Sequence, residues 1–306
     1  MVYLILAILC GSLFSIVFKL CQRHGVDGSQ VIFFNYFLAF LFTLIPILGR
    51  ILFDSGVAAG DYVPGPSSWL LAFVQGLFFT FGFSVMDWST RRSGVALTTV
   101  SARASLILPV LLSWVLLRQP APALLPVLLT IAAMILIIGP KEAQREKSGA
   151  AGSGPARHAA MLALLGVFLV FGLSDFFLKV VQHSVEKGSA DPAVMERQLS
   201  ALTCIIFLMA SVASLAVCLV SGSFRKHRLT WATLGWGALL GCANIGCTSC
   251  MLRALGLMPT GVYYPIYNIG IVLVAMLAGL LFFKEKLKWA HVAGLALAVA
   301  AIALSF

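Results

Sequence analysis

Charge is what this chain most lacks. Of its 306 residues only 10% are Asp, Glu, Lys or Arg, while 60% are hydrophobic. With a mean hydropathy of +1.01, a soluble domain of this size would expose apolar patches far larger than water tolerates. Acid is scarcer still: there are 11 carboxylate residues, dispersed, with no Asp-x-x-x-Asp cluster and no His/Asp grouping. Chemistry on a metal-bound pyrophosphate needs clustered acids, and acid–base catalysis at a membrane surface needs a positioned pair. The sequence therefore argues against an enzyme. The seven cysteines lie in or at the ends of apolar runs, and Cys247-x-x-Cys250 has no second pair. Thiols in such surroundings behave as small hydrophobes, so no metal is expected. The first apolar run lacks a basic n-region and a small-residue cleavage site and ends in Phe18-Lys19, which reads as a span and not as a leader. A gathered basic surface is missing too. The net charge of +10 is scattered over short loops, which argues against a nucleic-acid partner.

What is present is one apolar run after another. Barrel strands would be shorter and alternating, so helices are the expected way to satisfy the backbone in hydrocarbon. A window of about 19 residues divides the chain into ten candidate spans: 2–20, 30–50, 68–87, 95–117, 121–139, 159–180, 198–221, 230–251, 261–283 and 288–305. They group as five plus five around a polar Lys, Glu, Gly, Ala and Ser-rich stretch from Lys141 to Pro155, which reads as a flexible linker. The expected organisation is a first five-helix repeat over 1–140, a linker over 141–158 and a second repeat over 159–306. Only the loop from Asp54 to Pro66 is otherwise long enough to cover one face. Of the 21 Lys and Arg residues, Arg103 lies mid-span, six (Arg50, Arg118, Lys179, Lys187, Arg197, Arg253) fall on one side and the remaining 14 on the other. By the positive-inside rule the linker is cytoplasmic and both termini are outside, in a multi-pass protein of the cell (inner) membrane.

The two halves are copies. Ser15 to Arg23 recurs as Asp175 to His183, with Lys19-x-x-Gln22 matched by Lys179-x-x-Gln182, and Gly94 to Gln119 lies without gaps on Gly261 to Lys286. A repeat with an odd number of spans sits upside down relative to its partner, the physical basis of alternating access in many carriers. The expected fold class is an all-α membrane protein with ten transmembrane helices in two inverted five-helix repeats.

Some polar residues stand where they are costly. Arg103 is about nine residues into span four, roughly 13 Å deep, where insertion costs about 2.5 to 3.5 kcal/mol. It is expected to face a polar cavity, a paired acid, or carbonyls freed at a broken helix, with Ser101 and Ser105 beside it. Tyr264, Tyr267 and Asn268 recur at i, i+3 and i+4 on one helix face next to Pro265, as a recognition face or as an interfacial aromatic belt, though Asn268 is too deep for the belt. Asn268 aligns with Ser101 in the duplication. Asp175 and Lys179, at i and i+4, are spaced for a same-face ion pair acting as a gate or coupling element, or for snorkelling together to the interface. The first-half copy has Ser15 for Asp175, which leaves Lys19 without that partner and suited to an anionic solute. Asn35 and Asn244 are further candidates for solute contact and Arg197 for gating or coupling. Asn244 lies among small residues, so close helix packing explains it equally well.

Ten spans in two halves, with Gly94-Val95-Ala96-Leu97 leading to Leu116-Leu117-Arg118-Gln119 and Gly261-Val262-Tyr263-Tyr264 leading to Phe282-Phe283-Lys284-Glu285-Lys286, resemble the EamA-like family of the drug/metabolite transporter superfamily. In that family each repeat closes on a Gly-Glu-Arg-like turn followed by a final apolar helix. Lys284-Glu285-Lys286-Leu287 fits, whereas Arg118-Gln119-Pro120 has no acid. The resemblance implies a substrate cavity between the halves, no bound cofactor, and a permease that moves a small organic metabolite or amphiphilic compound. Arg103 and Lys19 favour an anionic or zwitterionic solute such as an amino acid or sugar derivative. A lipid-linked-sugar flippase or accessory subunit is the alternative, and an intramembrane transferase a remote one. The partners expected are that solute and the lipid bilayer; a homodimer is compatible with the sequence but not required by it.

Overall fold

The computed structural model describes residues 1–23, 26–93, 95–146, 155–283 and 289–304, with the side chains of 14–16, 18–23, 91, 95–96, 138–146, 155–157, 275, 278–283 and 290–291 outside the description. Every regular element among them is helical: α1 (Val2–Arg23), α2 (Gly28–Phe53), a 3-10 helix (Ala59–Tyr62), α3 (Pro66–Ser93), α4 (Val95–Ala104), α5 (Ile107–Leu117), α6 (Leu124–Glu146), α7 (Pro155–Gly188), α8 (Pro192–Ser221), α9 (Ser223–Lys226), α10 (Trp231–Leu257), α11 (Thr260–Phe283) and α12 (Trp289–Ala303). Six stretches are long and apolar enough to cross a membrane: Gly28–Phe53, Pro66–Thr90, Leu97–Leu117, His158–Gly188, Pro192–Ser221 and Trp231–Leu257. Four shorter apolar helices accompany them among the described residues.

Local chemistry sets the boundaries. Proline opens α3, α7 and α8, where its missing N–H belongs to the first turn and costs nothing. Asp27 caps α2 by accepting from the Gln30 N–H at 2.9 Å, and Asp191 caps α8 by accepting from the Ala193 N–H at 2.8 Å, each satisfying an orphan donor. Gly222, at φ +67°, ends α8 in the left-handed conformation that glycine adopts at least cost.

Span four differs from the single helix expected over 95–117. It breaks after Ala104, and α5 starts at Ile107. Pro109 has no N–H to offer the Ser105 carbonyl, which accepts instead from the Leu108 N–H at 2.9 Å, while the Arg103 carbonyl accepts from the Leu106 N–H at 3.2 Å. The ladder tightens to three-residue bonds there, as proline requires.

The linker expected over 141–158 is helical at both ends, since α6 runs to Glu146 and α7 starts at Pro155; residues 147–154 lie outside the described residues. So do Gly94 and the Lys284-Glu285-Lys286-Leu287 turn.

By packing, the chain forms two compact units, Met1–Thr80 with Phe177–Leu257 and Phe81–Phe176 with Met258–Phe306. Each draws on both sequence halves. In the first unit α2 packs on α8 and α10, and α1 packs on α10; in the second, α6 packs on α12, α4 and α11. Glycine permits the close crossings. A Cβ at Gly237 of α10 would stand 2.6 Å from Phe34 Cβ, one at Gly76 of α3 2.5 Å from the Ile206 carbonyl oxygen, and one at Gly294 of α12 2.6 Å from Ile137 Cγ1. These are small-residue contacts of the kind apolar helices use when lipid offers no hydrophobic drive to associate. Gly235, two residues before Gly237, faces open space. Gly237→Ala should therefore destabilise the purified protein by about 1 to 3 kcal/mol. Gly235→Ala should be neutral or stabilising by up to about 1 kcal/mol. Thermal unfolding of both variants in detergent checks the contrast.

Candidate functional site

The polar residues singled out in the second unit do meet. The Arg103 Nη1 donates to Asn268 Oδ1 at 3.2 Å, Asn268 Nδ2 donates to the Tyr264 carbonyl at 3.0 Å, and the Tyr264 hydroxyl donates to the Asp175 carbonyl at 2.6 Å. Asn268 is 3% exposed and Tyr264 fully buried, with Arg103 half-buried at the end of α4. The Ser101 hydroxyl donates to the Leu164 carbonyl at 2.7 Å, binding α4 to α7. Tyr263 stacks on Tyr267 with ring centroids 5.4 Å apart and meets Tyr264 edge-on at 5.2 Å. Their burial sets aside the aromatic-belt explanation, because belt rings face lipid headgroups.

Arg103 sits where α4 breaks, and its hydrogen-bond partner is a side-chain amide, neither an acid nor a freed backbone carbonyl. A guanidinium carries five N–H donors, and Asn268 accepts from one. The Asp175 carboxylate lies within Coulombic range of this guanidinium. A guanidinium whose hydrogen-bond partner is a neutral amide keeps further donors for an anion.

The remaining candidates stand in the first unit, where those described meet other partners. Lys179, 3% exposed, does not form the ion pair that its spacing from Asp175 suggested. Its ammonium donates to Gln182 Oε1 at 2.6 Å and to the Leu255 carbonyl at 2.7 Å. Leu255 lies in the last turn of α10, where carbonyls have no intrahelical donor and a cation is favoured by the helix dipole, so Lys179 is a clamp on the end of α10. Gln182 Nε2 in turn reaches Glu186 Oε2 at 3.2 Å. Asn244 Nδ2 donates to Asn35 Oδ1 at 3.4 Å, and a Cβ at Gly241 would come within 2.9 Å of the Asn35 carbonyl oxygen. The two asparagines thus mark the tight α2–α10 crossing. Arg197 Nη1 donates to Asp61 Oδ2 at 2.6 Å, tying the 3-10 helix to α8. The Lys19 side chain lies outside the described residues.

One feature of the first unit went unforeseen. A cavity of about 210 Å³ is lined by Arg50, Tyr62, Glu196, Arg253, Ser200 and Thr203 among others. Arg253 Nε donates to both Glu196 oxygens, at 3.0 and 3.1 Å, its Nη2 reaches Glu196 Oε1 as well, and its Nη1 donates to the Ser249 carbonyl at 2.9 Å. The loop from Asp54 to Pro66 brings Tyr62 here through the Asp61–Arg197 pair and the Gln198 Nε2 bond to the Val63 carbonyl at 3.4 Å. The available signal was Glu196, Ser200 and Thr203 on one face of an apolar helix at i, i+4 and i+7. Arg50 and Arg253 had been read only as markers of orientation.

No family model matches the chain. A protein of Haemophilus influenzae described as uncharacterized is 23% identical over 305 residues, spanning 98% of this chain and 95% of its own. A crystal structure of another protein matches with a TM-score of 0.71 at 15% identity, covering 99% of this chain and 95% of that one. This likeness speaks for a shared fold alone.

The Asp61–Arg197 pair is partly screened, with side chains 27% and 22% exposed. A double-mutant cycle of Asp61→Ala and Arg197→Ala is expected to give a coupling of about 0.5 to 1 kcal/mol. Either single variant should speed proteolysis within residues 54–65, read by mass spectrometry of the digest.

Proposed function

We propose that the chain is a multi-pass transporter of the EamA-like kind that moves a small anionic or zwitterionic organic solute across the cell membrane by alternating access. The observation that carries this reading is Arg103. It stands at a break in an apolar segment, half-buried, with Asn268 as its hydrogen-bond partner. A carboxylate arriving there finds a pre-oriented fork of N–H donors at little reorganisation cost. Asn268 is itself held by the Tyr264 carbonyl, which fixes its amide so that the oxygen faces the guanidinium. The nearby Asp175 carboxylate offsets the arginine's charge when no solute is bound, and proton uptake there would couple the cycle to the proton gradient.

Further support comes from the six helices long and apolar enough to cross a membrane, with four shorter apolar helices beside them among the described residues, and from the internal duplication. In this reading the ten spans form two inverted halves, and inversion lets one site be exposed to each side in turn. The positive-inside bias puts residues 141–158 in the cytoplasm.

The test is flux in liposomes. A thermal-shift screen of the purified protein against a metabolite library identifies a ligand by its stabilisation of the folded state, and radiolabelled uptake of that ligand is then measured. Arg103→Ala should lower uptake at least about tenfold, since a charge-assisted bond contributes about 1.5 to 3 kcal/mol, with the melting temperature of the unliganded protein nearly unchanged. Undiminished uptake by that variant would remove Arg103 from the site and the proposal with it.

A further inference from the structure

We propose that the open cavity lined by α2, α8 and α10 in the first unit is a second binding site, for a small zwitterion bearing a carboxylate, a primary ammonium and a short apolar side group. It is separate from the Arg103 network and goes beyond the transporter reading. Its volume, about 210 Å³, is below the ~300 to 1,000 Å³ of drug-sized sites, which suits a small solute.

The wall chemistry selects the groups. Arg50, in the last turn of α2, is exposed and has no acceptor for its guanidinium among the described residues, so it offers a carboxylate a bidentate partner. Arg253 is already committed to Glu196 and the Ser249 carbonyl. Glu196, however, remains 47% exposed, and of about four lone-pair positions on a carboxylate Arg253 uses three. The hydroxyls point the same way. Thr43 donates to the Ala39 and Phe40 carbonyls, Ser200 to the Glu196 carbonyl and Thr203 to the Leu199 carbonyl. With their protons spent on the helix backbone, these oxygens offer only lone pairs to the cavity. An N–H-rich cation meets acceptors there, while a carboxylate finds at Arg50 a guanidinium not yet engaged by another side chain among the described residues. Phe42, Pro46 and Ile47 supply the apolar wall.

The experiment is calorimetric titration of the full chain in lipid nanodiscs with leucine, isoamylamine and isocaproate as probes. It is done in an Arg103→Ala background so that heat from the Arg103 site does not contribute. Saturable leucine binding is expected, with each single-charge analogue at least about tenfold weaker. Adding Arg50→Gln should weaken leucine about tenfold, and Arg50→Lys should recover part of the loss because a charge without the fork remains. Absence of saturable leucine binding, isocaproate or isoamylamine binding as tightly as leucine, or indifference to Arg50→Gln would each overturn the proposal. Should flux prove insensitive to Arg103, this readout still stands, because it records binding and not transport.

Discussion

One constraint shapes much of this protein: a backbone carbonyl or amide inside an apolar helix must find a partner within the protein. Where the helical ladder is whole, nothing else is needed. Where it is interrupted or ends, a polar side chain is present. Pro109 disturbs the ladder at Ser105 and Leu106, and Arg103 and Ser101 stand at that point. Pro265 interrupts α11, and Tyr264 and Asn268 flank it. The α10 helix ends at Leu257, and the Lys179 ammonium reaches the Leu255 carbonyl.

Not all of these residues are equivalent. Lys179, Ser101 and Tyr264 spend donors on backbone carbonyls, which is a structural task and lowers the cost of placing them in an apolar environment. Arg103 spends one guanidinium bond on an amide side chain. Its surplus of donors distinguishes it chemically from the others and makes it the centre of the proposed solute site. Arg50 is distinguished in the same way within the first unit, where Arg253, though more buried, already spends donors on Glu196 and Ser249.

The close crossings depend on the same economy. Without a hydrophobic drive between apolar helices, contact area comes from backbones that approach until side chains interlock. Gly76, Gly237 and Gly294 each sit where one carbon more would overlap a neighbouring helix. The polar crossing of Asn35 with Asn244 is built into such an approach, beside Gly241.

Much of this was legible beforehand. Long apolar runs bounded by proline, aspartate and glycine set where helices start and stop, because those signals act over one turn and need no distant partner. The shared face of Tyr264 and Asn268 followed from helical spacing alone. What spacing could not supply was the partner. Arg103 meets Asn268 across 165 residues of chain, Arg197 meets Asp61 across 136 and Arg253 meets Glu196 across 57. The i, i+4 spacing of Asp175 and Lys179 does not become an ion pair, because packing brings Gln182 and the last-turn Leu255 carbonyl to the ammonium. Sequence by itself determined the helical, apolar character of the chain and the positions of its expensive polar groups, since both depend on local composition and period. Tertiary structure alone decided which of those groups are consumed by the backbone and which remain open to a ligand, because that depends on which carbonyls and amides packing brings within hydrogen-bond range.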